Sequence, residues 1–507
     1  DFECGGRLLA TNTLINDAPV TVWFASVLGE LAASREVTLL TSTTCFGLYD
    51  HGTAGLLERL DAGNRPSPYR QRYWRVHAKQ VLLATGAIEQ PLVFEQNDLP
   101  GILLAGAVRQ YANRYGVAAG RRIVLATNND SAYLAALDLV AAGAPVSLVL
   151  DSRSESPADL AKWLRAQGVE VRAGAAVARA IGSKRLERVV LAGGEEVACD
   201  ALGVSGGWMP AVHLWSQARG PLAYDEGRRC FSPRDSRPPL QAAGALNGRI
   251  SLQESFGDAL EAVRLALAAA GRSMELPLAV PGVQEAPLSG GVGVPPGAEN
   301  GKAGRQWIDL LHDVTVADAE IALAEGYAHV EHLKRYTTIG MAPDQGKTSH
   351  LNALHWLASQ TSKSPAAVGT TTFRPPYTPV TLGAIAGRQI GPRYAPTRRL
   401  PAHAEHESLG AHWMEAGGWL RPACYPKKGE SPRQAVLREA SSVRAGVGLF
   451  DASPLGKIEV TGPDAAKFLD HFYVNSVARL EDGRVRYGLM LNENGVIIDD
   501  GTVARLG

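Results

Sequence analysis

Apolar runs of strand length alternate with alanine- and leucine-rich stretches of helical length along the first half of the chain. Residues 79–86 read Lys-Gln-Val-Leu-Leu-Ala-Thr-Gly. This predicts a buried strand running into a turn of small residues, Ala84-Thr85-Gly86. Small residues there let backbone come close to a bound cofactor, although a plain buried strand and turn fits the same pattern. A strand–helix–strand unit follows. Arg122–Ala126 is apolar, Ser131–Ala142 is rich in Ala and Leu, Gly143 ends it, and Pro145–Leu150 is apolar again, closing on Asp151. A third signal is Leu240-Gln241-Ala242-Ala243-Gly244-Ala245-Leu246-Asn247-Gly248, an apolar strand, an Ala-Gly turn and a helix.

Further along, Val316 to about Ala324 reads as a short helix. Lys457–Thr461 reads as a strand, and Gly462-Pro463-Asp464 opens a helix, with proline in its first turn. Arg486–Asn492 is a strand, Asn494-Gly495 a hairpin turn, and Val496–Ile498 the return into Asp499-Asp500. Between these halves, residues 272–304 are rich in Gly and Pro and predict a flexible linker.

Composition narrows the classes. A chain of 507 residues has room for about three domains. Lys plus Arg equals Asp plus Glu at 51 each, which argues against a nucleic-acid or anionic-membrane partner, since both call for a basic face. No stretch approaches the roughly 20 apolar residues of a membrane span, and no signal-peptide pattern opens the chain. Cys4, Cys45, Cys199, Cys230 and Cys424 lie far apart with no C-x-x-C pair, so reduced thiols and a cytoplasmic location are expected. The chain begins with Asp1 rather than Met and ends inside a strand-like segment; truncation at both ends is the expectation.

The middle unit has Rossmann spacing, but its turn is Thr127-Asn128-Asn129-Asp130 rather than a glycine-rich loop. Asp130 would put negative charge where a pyrophosphate binds, and Tyr133 adds bulk. A Rossmann-like unit that has lost its dinucleotide is therefore expected, with a structural role. The Leu240–Gly248 segment resembles the closing element of two-dinucleotide-domain reductases. Flavin-binding members place an acid after the glycine, and this chain has Ala245, which leaves NAD the better candidate than FAD. The opening residues, with Gly5 and Gly6, resemble the segment after the second strand of such a domain, and the pyrophosphate loop is expected upstream of Asp1.

Asp309-Leu310-Leu311-His312-Asp313-Val314-Thr315, the helix from Val316, His329 to Tyr336, and Thr337-Thr338-Ile339-Gly340-Met341-Ala342-Pro343-Asp344-Gln345-Gly346-Lys347-Thr348-Ser349 resemble small helical [2Fe–2S] domains of the ferredoxin-associated type. The four cysteine positions hold Asp309, Leu311, Asp344 and Ser349. An iron–sulfur cluster needs thiolates, so no Fe–S cluster is expected. Lys334, Arg335, Thr337, Thr338, Lys347 and Thr348 offer charge and hydroxyls suited to a phosphate, or form a solvated basic loop.

Five segments then occur in order: Ala84-Thr85-Gly86-Ala87-Ile88-Glu89-Gln90-Pro91, Asn128–Tyr133, Gly206-Gly207-Trp208-Met209-Pro210-Ala211-Val212-His213, Glu331–Thr338, and Gly369-Thr370-Thr371-Thr372-Phe373-Arg374-Pro375-Pro376-Tyr377. Together they resemble the alpha subunits of the heterotetrameric sarcosine oxidase family. The resemblance implies oxidative demethylation of sarcosine to glycine, with hydrogen peroxide and, from tetrahydrofolate, 5,10-methylenetetrahydrofolate. It implies FAD and the amine site in a beta subunit, and FMN attached to beta at the interface with alpha. NAD and a folate domain would be in alpha, with gamma and delta subunits completing the complex. The NAD residues would be Gly5, Gly6, Ala84, Thr85, Gly86, Gly244 and Ala245. The Lys334–Thr348 loop would face the FMN.

Arg444–Ser453 and the hairpin after it resemble the start of the aminomethyltransferase (T-protein) fold. By that resemblance Asp500 is the acid near the folate nitrogens and Tyr487 the aromatic beside the pterin; adjacent acids at a hairpin end also occur without any such role. The expected fold class is multidomain α/β: an incomplete two-dinucleotide-domain, Rossmann-like reductase fold, a small helical domain without its cluster, and the start of an α+β aminomethyltransferase fold. The expected domains are 1–271, the linker 272–304, 305–365, a connecting segment 366–395, and 396–507. Alternatives are an alpha subunit of an opine- or proline-dehydrogenase type and a non-catalytic nucleotide-binding scaffold. Without partner chains the fragment is expected to be inactive.

Overall fold

The computed structural model describes residues 2–60, 67–235, 239–272, 280–285, 292, 305–388 and 396–507. Asp1 and most of the 272–304 linker lie outside the described residues. The chain divides into two compact units, Asp1–Gly387 and Arg388–Gly507.

In the first unit a five-stranded parallel sheet has the order Glu170–Ala173, Val146–Asp151, Ile123–Thr127, Ala201–Ser205, Ile102–Leu104. Every residue of Ile123–Thr127 and of Ala201–Ser205 is buried. Continuous apolar runs become strands covered on both faces. On one face Ile123, Leu125 and Val149 pack under Val108 of the Ala105–Tyr115 helix and Ala132, Tyr133 and Leu139 of the Ser131–Ala141 helix. On the other, Val124, Ala126, Leu148 and Leu150 pack against Val177, Ala180, Val189 and Leu191 of an antiparallel layer. Each buried Val, Leu or Ile contributes about 1.5–3 kcal/mol relative to exposure. The strand–helix–strand unit read from sequence thus forms within one residue of its expected bounds.

The other dinucleotide-type region pairs Val81–Leu83 with Leu240–Ala242 in parallel. Ala87–Glu89 pairs antiparallel with Trp208–Pro210, and Thr43–Tyr49, Thr53–Arg59 and Gln71–His77 form an antiparallel meander. The helix expected directly after Gly244 is displaced. One turn of 3-10 helix, Gly244–Asn247, comes first, and Leu252–Ala269 starts only where Ser251 accepts from the Glu254 amide. A side-chain acceptor at that point satisfies an otherwise orphan helix donor.

The small helical region begins at Trp307–Asp309, paired with Val314–Thr315. Thr315 and Asp318 form a capping box that starts Val316–Ala324. Val330–Thr337 and His350–Thr361 follow. Leu333, Leu351, Leu354 and Leu357 share one core with Leu214, Trp215 and Leu240 of the dinucleotide-type region. Asn97 docks the two regions like an extra strand, donating to Trp307 O and accepting from Trp307 N, both at 2.9 Å.

In the second unit, Arg398–Arg399, Trp419–Cys424 and His412–Ala416 form a three-stranded sheet. Pro432–Ala445 is a helix with a Ser431–Gln434 capping box, and Val485–Leu491 pairs with Ile497–Ala504. The strand expected at Lys457–Thr461 does not form: no described strand pairs with it and Ile458 is exposed. A segment without a ladder partner leaves its backbone groups to water and gains nothing as a strand. No helix among the described residues is long and apolar enough to cross a membrane, and all five cysteines are free.

Candidate functional site

The pairing of Val81–Leu83 with Leu240–Ala242 brings two sets of candidate NAD residues to the same strand ends, Ala84-Thr85-Gly86 and Gly244-Ala245. Ala243 N donates to Leu83 O at 2.8 Å. Gly86 has φ +76° and open space where a Cβ would project, so both conformation and clearance suit glycine. Thr85 Oγ1 donates to Ala211 O at 3.1 Å, and Ala211 N returns a bond to Gly86 O at 2.9 Å.

Gly244 is different. Its amide donates to Asp258 Oδ2 at 2.7 Å, and the same oxygen accepts from Asn247 Nδ2 at 3.0 Å. A carboxylate reaches the turn from the Leu252–Ala269 helix, not from the position held by Ala245. Gly5 and Gly6 sit at the start of the Gly6–Ala10 turn. That turn is anchored through Arg7 Nη2 to Ile250 O at 2.6 Å, close in sequence to Gly244, and through Ala10 O to Asn113 Nδ2 at 2.8 Å.

In an open parallel sheet, ligands bind where the strand order reverses. Here that is between Thr127 and Ser205 at the strand ends, and the chain's own side chains stitch the crevice shut. Thr127 Oγ1 donates to Ser205 O at 3.2 Å, and Asn129 Nδ2 donates to Ser205 O and Ser205 Oγ at 3.1 Å. Asn129 Oδ1 accepts from Ser131 Oγ, which also accepts from Trp208 Nε1 at 2.8 Å. Behind the turn, Arg153 meets Asp130 at 2.8 Å and Asp151 at 2.7 Å, and Tyr133 Oη donates to Asp151 at 2.8 Å. Asp130 and Asp151 are buried. Beside Ser205, buried Glu89 accepts from Gly106 N at 2.8 Å, and burial pushes its carboxyl up to about 7.

The loop proposed for FMN is tied directly to this region. Gln90 Nε2 donates to Lys347 O at 2.9 Å. The Lys347 ammonium lies 4.2 Å from the Tyr377 ring centroid, a favourable cation–π position. Tyr377 also packs on His213 with ring centroids 4.5 Å apart, and Phe373 on His213 at 4.2 Å. His213 is 1% exposed, and neither ring nitrogen has a hydrogen-bond partner among the described residues. Burial, with Lys347 nearby, pushes it down to about 3; His350 is pushed down to about 4, also by burial. Both imidazoles are therefore neutral at ordinary pH, and positive charge here comes from lysine. Lys334 Nζ approaches Thr372 O at 3.5 Å. Burial lowers the pKa of both lysines, and neither forms an ion pair among the described residues.

Two of the other candidates in the loop are occupied. Arg335 pairs with Glu331 at 2.8 Å, and Thr337 Oγ1 donates to Leu333 O at 2.7 Å. Thr338, with φ +66°, caps the helix, and Thr348 precedes buried Ser349. Of the positions that match cluster cysteines, buried Asp309 accepts four hydrogen bonds: Oδ1 from Leu311 N at 2.9 Å and His312 N at 3.2 Å, Oδ2 from Gly340 N at 2.8 Å and Ser349 Oγ at 3.0 Å. Asp344 accepts from Gly346 N and Lys347 N.

In the second unit, Asp500 stands opposite Leu489, and Tyr487 is two residues before Leu489 on the same face. Tyr487 Oη donates to Asp500 Oδ2. Both are exposed. A second constellation there is invisible to sequence spacing. His406 Nε2 meets Asp451 Oδ2 at 3.1 Å, and His406 Nδ1 meets Tyr425 Oη at 2.7 Å. The Ser453 hydroxyl, then His406 and the Ser453 amide, pull Asp451 down to about 2. A depressed folded-state pKa stabilises above the ordinary carboxylate value and stops doing so as pH falls through the folded value. The stability advantage of the wild type over Asp451→Asn should therefore shrink between about pH 4 and pH 2. Thermal unfolding of both proteins at about pH 5 and pH 3 checks this; an unchanged difference would remove the carboxylate from the account.

Residues 303–388 match the sarcosine oxidase A3 domain, and residues 402–507 match the GCVT N-terminal domain. The chain is 41% identical over 528 residues to a sarcosine oxidase subunit alpha of Corynebacterium sp. (strain U-96), covering 99% of this chain and 54% of that one. It is 39% identical over 514 residues to that of Rhizobium meliloti (strain 1021), covering 99% and 51%. The chain thus spans about half the length of these relatives. A solved structure of L-proline dehydrogenase from P. horikoshii shares the fold, with TM-score 0.60 at 19% identity, over 76% of this chain and 73% of that one. Over the half of that subunit it spans, the chain belongs to the sarcosine oxidase subunit alpha family and runs from a dinucleotide-binding oxidoreductase fold through the A3 domain into an aminomethyltransferase-type domain.

Proposed function

We propose that the chain serves in a heterotetrameric sarcosine oxidase with beta, gamma and delta subunits. The complex would convert sarcosine, dioxygen and tetrahydrofolate to glycine, hydrogen peroxide and 5,10-methylenetetrahydrofolate in the cytoplasm. The observation that carries this reading is the joining of the A3 and GCVT domains to a dinucleotide fold in one chain, related to these alpha subunits over 99% of its length. Atoms balance: two electrons and two protons leave the N-methyl group and nitrogen for dioxygen, and the resulting methylene joins folate as glycine departs.

In this reading FAD and amine oxidation belong to the beta subunit, and bound flavin supplies the two-electron chemistry. This chain binds and orients. NAD lies at the ends of the Val81–Leu83 and Leu240–Ala242 strands against Ala84, Thr85, Gly86, Gly244 and Ala245, with Gly5 and Gly6 on the neighbouring turn. The open glycine at 86 fits a close approach. Gly244 contributes clearance rather than a donor, because Asp258 holds its amide. The FMN carried by beta lies against the 334–348 loop, where Lys334 and Lys347, neither held in an ion pair among the described residues, supply positive charge for its phosphate.

At the folate end, Tyr487 fixes the orientation of the Asp500 carboxylate by donating to it. A carboxylate there stabilises positive charge as a folate nitrogen attacks the methylene, and accepts the released proton.

Full-length subunit co-expressed with its companions should release peroxide from sarcosine and form methylenetetrahydrofolate when tetrahydrofolate is added. Oxidation of proline or an opine with no peroxide from sarcosine would refute the reading.

A further inference from the structure

A cleft of about 410 Å³ opens beside the Gly244 turn, within the range of small-molecule sites, about 300–1,000 Å³. None of the residues assigned above to NAD, FMN or folate lines it. The antiparallel hairpin Leu222–Asp225/Cys230–Pro233 borders one side and the Leu252–Ala269 helix another. Trp215, Pro233 and Leu265 give it an apolar surface. The Trp215 indole N–H is already spent on Pro221 O at 2.9 Å, so that ring offers only carbon surface.

Four carboxylates line the cleft, and each has an arginine. Asp225 meets Arg228 at 2.9 Å, Glu261 meets Arg264 at 2.6 Å, and Asp235 meets Arg234 at 3.5 Å. The fourth pair is split. Arg249 Nε stands 3.9 Å from Asp258 Oδ1, beyond hydrogen-bond reach. Asp258 Oδ2 is held by the Gly244 amide and by Asn247 Nδ2, which fixes the carboxylate and leaves Oδ1 to accept. The Arg249 guanidinium donates no hydrogen bond among the described residues. Gln241, on the strand that forms the floor, is 2% exposed, and its Nε2 has no partner. A buried amide donor without an acceptor is a standing cost that an acceptor in the cleft removes.

Balanced charge disfavours a simple anion or a simple cation. The unspent groups are two donors, Arg249 and Gln241 Nε2, and one carboxylate oxygen. We infer that this cleft binds a zwitterionic α-amino acid with an apolar side chain. The ligand carboxylate accepts from Arg249 and Gln241, its ammonium donates to Asp258 Oδ1, and its side chain rests on Trp215, Pro233 and Leu265. Charge-assisted bonds at both ends of the ligand set its orientation.

Calorimetric titration of the full-length subunit with L-leucine tests this, with saturable binding at one site expected. 4-Methylpentanoate lacks the ammonium and isoamylamine lacks the carboxylate; each should bind at least about tenfold more weakly, the scale of one hydrogen bond to a charged group. Arg249→Met and Gln241→Leu should weaken L-leucine binding by a similar factor without lowering the thermal unfolding temperature. Arg264→Met, at an exposed pair, should leave the affinity within about twofold. Saturating NAD should not change it. Absence of saturable binding, equal affinity for either truncated analogue, or indifference to Arg249→Met overturns the inference. Displacement of L-leucine by NAD would make the cleft part of the nucleotide site and overturn it as well. None of these outcomes involves sarcosine turnover, so the subunit reading stands or falls separately.

Discussion

Replacing Arg153 with methionine is expected to destabilise the Asp1–Gly387 unit by about 3–5 kcal/mol, the usual cost of breaking a buried ion pair from one side. Arg153 lies between Asp130 and Asp151, both of which are buried, and contacts them at 2.8 and 2.7 Å. Methionine keeps the bulk and removes the charge, so two carboxylates lose their cation in a medium that solvates them poorly. Tyr133 would still donate to Asp151, which moderates the loss on that side only. Adding Asp130→Asn and Asp151→Asn to the same protein should recover most of the stability, because it is unpaired charge, not lost packing, that costs. Denaturant unfolding with the far-ultraviolet helix signal reads both variants. A loss under about 1 kcal/mol for Arg153→Met would show that the guanidinium does not neutralise this turn.

The second large effect is kinetic. In the full complex, Asp500→Ala should lower methylenetetrahydrofolate formation by about 100-fold, the scale of removing one aligned electrostatic group at a reacting centre. Peroxide release from sarcosine should stay the same, because in the proposed division of labour oxidation occurs elsewhere. Tyr487→Phe should act in the same direction and less strongly, since it frees the carboxylate to rotate but leaves its charge. Parallel assays of peroxide and folate product decide it. Equal loss of both products in Asp500→Ala would remove the proposed role.

The sequence was most readable where one physical cause dominated. The Ile123–Asp151 unit is continuous apolar strand, alanine-rich helix and strand, and hydrophobic burial alone sets its bounds. The expectation that this turn disfavours a pyrophosphate came from Asp130, because negative charge at a helix start opposes a bound anion. That Arg153 would reach back to Asp130 was not legible, because nothing in local periodicity distinguishes it from a surface arginine. The Lys457–Thr461 strand failed because strand formation depends on a partner that local sequence does not reveal. His406, Tyr425 and Asp451 are joined by contacts across 19 and 45 residues, so spacing gave no signal. Gln90 could be read as part of a motif, yet its bond to Lys347, 257 residues away, belongs to tertiary packing. Asp309 was visible only as a position without its cysteine; its four bonds emerge when Gly340 and Ser349 arrive beside it.

Under the proposed reading, in which the complex releases peroxide, that four-bonded carboxylate has a chemical consequence. Thiolates climb an oxidation ladder when exposed to such a product. A carboxylate accepting from three amides and a hydroxyl has no comparable step to climb. Its four donors all come from this chain, so the turn bearing Leu310 and Leu311 is held by folding itself.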